Sequence, residues 1–93
     1  MSEAFEREFT VNGEIGLHAR PAARFAELAG KFESAIEVGY RDEWVDARSV
    51  LSLMSLAART GSRLRIRASG PDAEQAVNAL GELLESEAPP QAS

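Results

Sequence analysis

Four stretches of the chain carry the hydrophobic pattern of β-strands. Phe5 to Val11 alternates between a mainly apolar side and a polar side, which is the two-residue period of a strand. Leu64 to Ala68 alternates apolar residues with arginines in the same way. Between these two, Ala35 to Tyr40 and Trp44 to Ala47 are short β-favouring runs separated by residues 41–43, and this spacing predicts a hairpin.

Three further stretches have helical spacing. From Ala19 to Phe32, apolar residues recur every three or four positions, which predicts an amphipathic helix. Ser49 is placed to cap a short helix over Val50 to Leu56. Asp72 is placed to cap a last helix, whose apolar positions from Ala73 to Leu84 follow the same spacing.

The predicted order of elements is β-α-β-β-α-β-α, an α+β arrangement. Because each strand has only one apolar face, all the helices must cover the same side of one antiparallel sheet. We therefore expect an open-faced β-sandwich, with a four-stranded antiparallel sheet and three helices on one face. The 93 residues supply one core. We expect a single domain over residues 1–93, ordered over about 4–87, with residues 88–93 as a mobile tail.

Composition excludes several kinds of partner. Ten Lys and Arg against fifteen Asp and Glu give a net charge of −5, so phosphate backbones and anionic lipids would repel the chain. We expect neither nucleic acid nor a membrane as partner. Without cysteine, and with one histidine, the chain lacks the ligands of an ordinary zinc site, and we expect no metal. Neither a secretory signal nor a membrane-spanning run is evident, so a cytoplasmic protein is expected.

The charge is unevenly distributed along the chain. Residues 18–69 hold nine basic and six acidic residues, whereas the segments on both sides of them are acidic. The only histidine lies in this basic middle part. Such an asymmetry suits a small anionic group or an acidic partner surface, although a charged surface also simply keeps a small domain soluble.

The histidine lies where a turn leads into the first predicted helix. Proline is tolerated only in the first turn of a helix, so Pro21 places His18 at or next to the N-cap. The imidazole would then lie over the free backbone amides of Ala19 and Arg20, where the helix dipole attracts anions. The Arg20 guanidinium adds a fork that fits phosphate oxygens. Together these groups suggest a phosphorylated imidazole; a capping histidine beside a solvated arginine is the alternative.

The segment Gly16-Leu17-His18-Ala19-Arg20-Pro21-Ala22 resembles the active-site signature of HPr, the histidine-containing phosphocarrier family of the sugar phosphotransferase system. Residues 48–56 resemble the serine-site segment of that family, and the similarity covers about residues 4–86. The resemblance implies a sheet order of 1-4-2-3. It also implies that His18 Nδ1 accepts a phosphoryl group from phosphorylated Enzyme I and passes it to IIA components, with Arg20 neutralising its charge. The carrier needs no cofactor, since Mg²⁺ belongs to Enzyme I, and it is a co-substrate rather than an enzyme.

Ser49 corresponds to the serine that an ATP-dependent HPr kinase modifies in many Gram-positive relatives, which slows transfer to His18 and recruits a transcription regulator. The resemblance therefore implies possible regulation through Ser49. A plain helix cap is the alternative for this residue. The sequence departs from common relatives at Ser52, where many carry glycine, and at Ile15, where some carry a small polar residue. The change at Ser52 could alter how closely partners approach the short helix.

The short helix has more apolar residues than one face can bury. Leu53 and Leu56, three positions apart, suit the core. The remaining apolar residues would face outward and form a docking patch rimmed by positive charge, and partial burial is the alternative. The predicted docking residues are Arg24, Arg48, Val50, Leu51 and Met54.

Three arginines, at positions 63, 65 and 67, line the polar side of the last strand. A nucleic-acid platform is not expected there. In the sheet order that the resemblance implies, Glu6, Glu8 and Glu37 stand beside the arginines and offset them. Stacking aromatic side chains are also lacking on the outer faces of the first and last strands. Tyr40 and Trp44 are expected to serve packing.

The leading hypothesis is a monomeric phosphoryl carrier in sugar uptake. Its competitors are a paralogue in a regulatory or nitrogen branch, a non-catalytic interaction module, and a small ferredoxin-like ligand-binding domain.

Overall fold

Strands and helices follow one another in the predicted order in the computed structural model, which describes residues 4–12 and 19–86. In the described chain the elements are β1 Ala4–Thr10, α1 Ala19–Ala29, β2 Ala35–Tyr40, β3 Glu43–Asp46, α2 Val50–Ser55, β4 Arg63–Ser69 and α3 Ala73–Ser86. The four strands form one antiparallel sheet in the order β1-β4-β2-β3. The open sheet and its three helices confirm the predicted fold class.

The core lies between one face of the sheet and the helices. On β4 the side chains of Leu64, Ile66 and Ala68 are buried while Arg63 and Arg67 are exposed, as the alternation predicted. The helices close the other side of this core, with α3 packed on β1 and β4. Its largest fully buried side chains are Phe25, Leu53, Leu64, Ile66 and Leu80. No helix among the described residues has the length and apolar character needed to cross a bilayer.

The first helix is shorter than predicted. It ends at Ala29, and the chain then tightens into a turn in which the amides of Lys31 and Phe32 donate to carbonyls three residues back, at 3.0 and 3.3 Å. Phe32 still packs half-buried against the core, but from the loop. A loop residue can thus fill a place in the core that one more helical turn would also fill. For this reason the spacing of Phe32 after Ala29 resembled a continuation of the helix. The third strand is likewise displaced by one residue, to Glu43–Asp46, since Glu43 pairs with Tyr40 across the hairpin.

Trp44 lies on the open face of the sheet, where the sequence pattern had not placed an aromatic side chain. Its partner in the β2–β3 pairing is Gly39, and a Cβ atom at position 39 would come within 2.9 Å of the indole ring. The guanidinium carbons of Arg67 and Arg65 lie 3.7 and 4.8 Å from the ring centroid. The glycine thus leaves room for the indole to lie across β2 beneath two arginines.

Carboxylates offset the arginines of β4, as predicted for Glu8 and Glu37. Arg67 bonds the Glu37 carboxylate at 2.7 Å, and Arg63 lies 3.9 Å from that of Glu8. Glu6 is in register with Arg67 on the other side. The arginine stripe is therefore built into cross-strand pairs.

Asp72 has a wider structural role than the predicted cap. Its carboxylate accepts hydrogen bonds from the amides of Glu33 and Ser34, both at 2.9 Å, and from the Ser34 hydroxyl at 2.5 Å. Ser34 is 1% exposed, so Asp72 satisfies a buried polar residue in the α1–β2 loop. The Ser34 hydroxyl and then the Glu33 amide lower the pKa of this carboxyl below 3.8. The start of α3 is thereby tied to the α1–β2 loop.

Candidate functional site

The first helix begins where the motif predicts. Its first residue is Ala19, directly after His18 in the sequence, and Pro21 lies in its first turn. His18 and the preceding residues Ile15, Gly16 and Leu17 lie outside the described residues. The phosphate-accepting role of His18, and its distance from the amides of Ala19 and Arg20, accordingly stay predictions.

Two arginines stand on the exposed side of the first turns of α1. Arg20 is the second residue of the helix and Arg24 follows one turn later, and both are exposed. The buried side chains of Ala22 and Phe25 fix the opposite side of the helix against the core. The first turn holds no acidic residue, so the positive end of the helix dipole and the two guanidinium groups act in the same direction.

Ser49 is the N-cap of α2. Its backbone is extended, with φ −102° and ψ 109°, and its Oγ accepts a hydrogen bond from the Ser52 amide at 3.2 Å. Leu53 and Leu56 are buried at 1% and 5% exposure, which confirms the prediction that they belong to the core. Since α2 packs against α1, the predicted regulatory serine caps a helix that neighbours the one following His18 in the sequence.

The predicted docking residues of α2 divide into two groups. Leu51 is 80% exposed, whereas Val50 and Met54 are half-buried and pack against the core. Burying an exposed leucine side chain is favourable by about 1.5–3 kcal/mol. A partner protein that covers Leu51 would therefore gain part of this free energy on binding. Leu51 is therefore the most prominent apolar group of the predicted docking patch.

Arg48 makes contacts that its position in the sequence did not predict. Its guanidinium Nη2 donates to the carbonyls of Phe32 and Ser34 at 2.7 and 3.1 Å. Its backbone amide donates to the Asp46 carboxylate at 2.9 Å. Arg48 thus fastens the segment before α2 to the α1–β2 loop. Its predicted docking role is untested, and part of its hydrogen-bonding capacity is already used inside the protein.

A cavity of about 340 Å³ opens at the end of the sheet where β2 begins. Glu37, Asp46, Arg48 and Arg67 are its charged lining residues, and they bond to one another or to the backbone. Within the described part of the chain, no group of three or more imidazole or carboxylate side chains converges as metal ligands would.

Comparison with known proteins gives one consistent result. Residues 5–86 match the family described as PTS HPr component, phosphorylation site. The phosphocarrier protein HPr of Cupriavidus necator is 39% identical over 75 residues, which cover 81% of this chain and 84% of the relative. The HPr of Haloferax volcanii is 43% identical over 81 residues, covering 85% and 91%. The crystal structure of an HPr from Bacillus anthracis superposes with a TM-score of 0.83 at 36% identity, covering 88% of this chain and 98% of that one.

Proposed function

The chain belongs to the HPr family of phosphocarrier proteins of the phosphotransferase system, and from that premise we propose that His18 carries the phosphoryl group. The Nδ1 lone pair of a neutral imidazole attacks the phosphorus of phosphorylated Enzyme I. The new N–P bond forms as the bond between phosphorus and the donor breaks. A IIA component then removes the group by the reverse exchange, which regenerates neutral His18 for the next cycle of sugar uptake.

The observation that carries this proposal is the start of α1 at Ala19, within the segment that matches the family over residues 5–86. A phosphoryl group on residue 18 would be close in sequence to the first two helical amides, which have no intrahelical acceptor. Arg20 supplies a permanent positive charge at the same helix end. These donors exist before the group arrives, so little reorganisation is required during transfer.

The docking surface of the proposed carrier is formed by Leu51, with Val50 and Met54 beside it and Arg24 on the neighbouring helix. The 80% exposure of Leu51 supports this assignment. An exposed apolar group rimmed by cations fits partners that present an apolar patch surrounded by acidic residues. Arg48 belongs to the same rim through its position in the chain, although it also has the internal contacts described above.

The decisive experiment follows one phosphate. The protein is incubated with Enzyme I, phosphoenolpyruvate and Mg²⁺, and mass spectrometry should show the gain of one acid-labile, alkali-stable phosphate that a IIA component removes. His18→Ala should gain none. Arg20→Ala should accept phosphate about tenfold more slowly with an unchanged fold, whereas the matched control Arg63→Ala, on the open face of the sheet, should behave as wild type. Labelling of His18→Ala would overturn the proposal.

Ser49 is the proposed regulatory site of the carrier. Its Oγ already accepts a hydrogen bond from the Ser52 amide. A phosphoserine there would add nearly two negative charges at the start of α2, beside Leu51. Acidic partner surfaces would then be repelled. An HPr kinase with ATP should label wild type but not Ser49→Ala, and Ser49→Asp should slow acceptance from Enzyme I. Ser69→Asp, at the end of β4, is the charge-matched control, and equal slowing in both variants would contradict the assignment. In a host with that kinase, the modified form would be the one that recruits a transcription regulator.

The proposed relay also sets the expected state of the protein. One face must meet Enzyme I and a IIA component in turn, so we expect residues 1–93 to act as one monomeric domain in the cytoplasm. Sedimentation at several protein concentrations measures this, and a concentration-dependent dimer would contradict it.

A further inference from the structure

A cluster of basic and hydroxyl-bearing side chains lies where the β2–β3 hairpin meets the turn before β4. We call it the basic corner and define it by Tyr40, Arg41, Arg59 and Ser62. The Ser62 hydroxyl contacts the Tyr40 hydroxyl at 3.4 Å, and the Arg59 amide donates to the same Ser62 oxygen at 3.0 Å. The Arg41 guanidinium carbon lies 5.1 Å from the centroid of the Tyr40 ring. The fold thus brings together two arginines that are far apart in sequence.

The backbone that presents Arg59 is firmly held. The Ser62 amide donates to the Arg59 carbonyl at 2.9 Å, which closes the turn. The turn is also fastened to the end of β1, because the Gly61 amide donates to the Val11 carbonyl at 2.7 Å and the Val11 amide donates to Ser62 at 2.8 Å. A side chain on such a turn loses little backbone entropy when it binds a partner.

The electrostatics of the corner are positive. The Ser62 hydrogen bond is the largest influence that lowers the pKa of Tyr40, and the positive charges of Arg41 and Arg59 lower it further. Residues 47–71 contain five arginines and no acidic residue. Asp42 and Glu43 lie on the hairpin side, which concentrates the positive potential on the Arg59 side.

Other arginines of this region have internal partners. Arg65 donates to the Arg41 carbonyl at 2.5 Å, and Arg63 lies 3.9 Å from the Glu8 carboxylate. Arg59 is exposed, and it is the arginine best placed to meet a second protein.

The basic corner is close enough to α2 to share a partner with it. Arg59 follows Ser55, the last residue of α2, by four positions, so their Cα atoms are at most about 14 Å apart. Leu51 lies about 6 Å before Ser55 along the helix, so the Cα atoms of Leu51 and Arg59 are at most about 20 Å apart. An ordinary interface buries about 800 Å² on each partner, which corresponds to a patch roughly 30 Å across. A protein seated on Leu51 can therefore reach Arg59.

We infer that the basic corner extends the docking surface around Leu51 and receives acidic side chains of the protein that binds there. This inference rests on the proposed function. Arginine forks bind carboxylates in pairs of hydrogen bonds, and arginine and tyrosine are enriched where interfaces gain their affinity. A nucleic-acid partner fits poorly, because the net charge of −5 repels a phosphate polymer.

The test is a titration of Enzyme I with Arg59→Gln, Arg41→Asn and the double variant, at about 0.05 M and about 0.5 M salt. Asparagine tolerates the left-handed backbone of position 41, where φ is 57°. At low salt, each single variant should weaken binding about threefold and the double variant about tenfold, which is the scale of exposed ion pairs. The differences should disappear at high salt. Arg59→Lys keeps the charge without the fork, so it should weaken binding less than Arg59→Gln does.

Lys31→Gln is the matched control, because Lys31 is an exposed cation at the opposite end of β2. Its binding should equal that of wild type, and thermal melting should show that every variant folds. Unchanged affinity of the double variant at low salt would overturn the inference, as would an equal loss in Lys31→Gln. In both cases wild type would still accept phosphate, so the proposed function would stand. Failure of wild type to bind Enzyme I would overturn both.

Discussion

The close approach of Gly81 to the Phe9 ring is expected to set the distance between α3 and β1. A Cβ atom at position 81 would lie 2.6 Å from Cδ1 of Phe9 and closer still to Cε1 and Cζ, whereas ordinary contacts of this kind begin at 3.4 Å. Phe9 is only 4% exposed, so its ring cannot retreat into solvent. Gly81→Ala therefore forces the ring or the helix to move by close to 1 Å or more.

Two opposing effects determine the magnitude for Gly81→Ala. Replacing glycine by alanine inside a helix stabilises the helix by about 1 kcal/mol. Overpacking a core costs about 1–3 kcal/mol, and a displaced buried ring places this case at the upper end. We expect a net loss of about 2 kcal/mol in the free energy of unfolding, which lowers the midpoint of thermal unfolding by roughly 10 °C for a domain of this size.

Urea unfolding followed by circular dichroism measures this change. Gly30→Ala is the control, because its Cβ would contact only carbonyl oxygens at 3.4 and 3.6 Å, and its effect should stay within about 0.5 kcal/mol. In a Phe9→Leu background, the added methyl group at position 81 should cost little, which gives a coupling free energy of about 1.5–2 kcal/mol. A Gly81→Ala protein more stable than wild type, or a coupling near zero, would refute this account.

Three further predictions concern residues in the loops between the elements. Ala57 has a left-handed backbone with φ 56°, so Ala57→Gly should stabilise the protein by about 0.5–1 kcal/mol in urea unfolding, whereas glycine at the buried neighbour Ala58 should destabilise it. Asp72 has a folded-state pKa below 3.8, so it contributes stability that is present above that pH and is lost as the pH falls through the folded value; Asp72→Asn should flatten the decline in stability below about pH 4, and an unchanged acid titration would count against the Ser34 contact. Arg48→Gln removes two hydrogen bonds to carbonyls and should lower the free energy of unfolding by about 1–2 kcal/mol; unchanged stability together with weaker binding of Enzyme I would instead give Arg48 a purely docking role.

The sheet and its buried face could be predicted because the period of the pattern is the period of the structure. Leu64 and Ile66 alternate with arginines in the sequence. Only one register of the strand buries these two apolar side chains and leaves the arginines on the open face of the sheet. Phe32 shows where this logic ends. Its spacing fits a helix, yet it reaches the core from a loop, because apolar spacing reports which side chains are buried and not which backbone carries them.

Long polar side chains were the part that the pattern could not place. Arg48 was predicted as a docking residue, and the pattern gave no sign that its guanidinium also reaches back to two loop carbonyls. A side chain with several rotatable bonds can cover several neighbours, and only the folded backbone decides which acceptor lies within reach.

The position of Trp44 on the open face did leave a signal in the sequence. Gly39 lies two residues before a tight hairpin turn, and a glycine in a strand marks a place where another group approaches the backbone closely.

The candidate site differs from the core in what determines it. A core position must fill a fixed volume and must exclude water, so periodicity alone indicates which residues belong to the core. Arg20, Arg24 and Leu51 are exposed, and the fold would tolerate many other residues at these positions. The fold therefore does not dictate their arrangement on two packed helices, and the proposed docking role is one reason for it. The same reasoning applies to Arg59. Four hydrogen bonds fix the backbone of its turn, whereas its exposed side chain is not needed for folding and is available for binding.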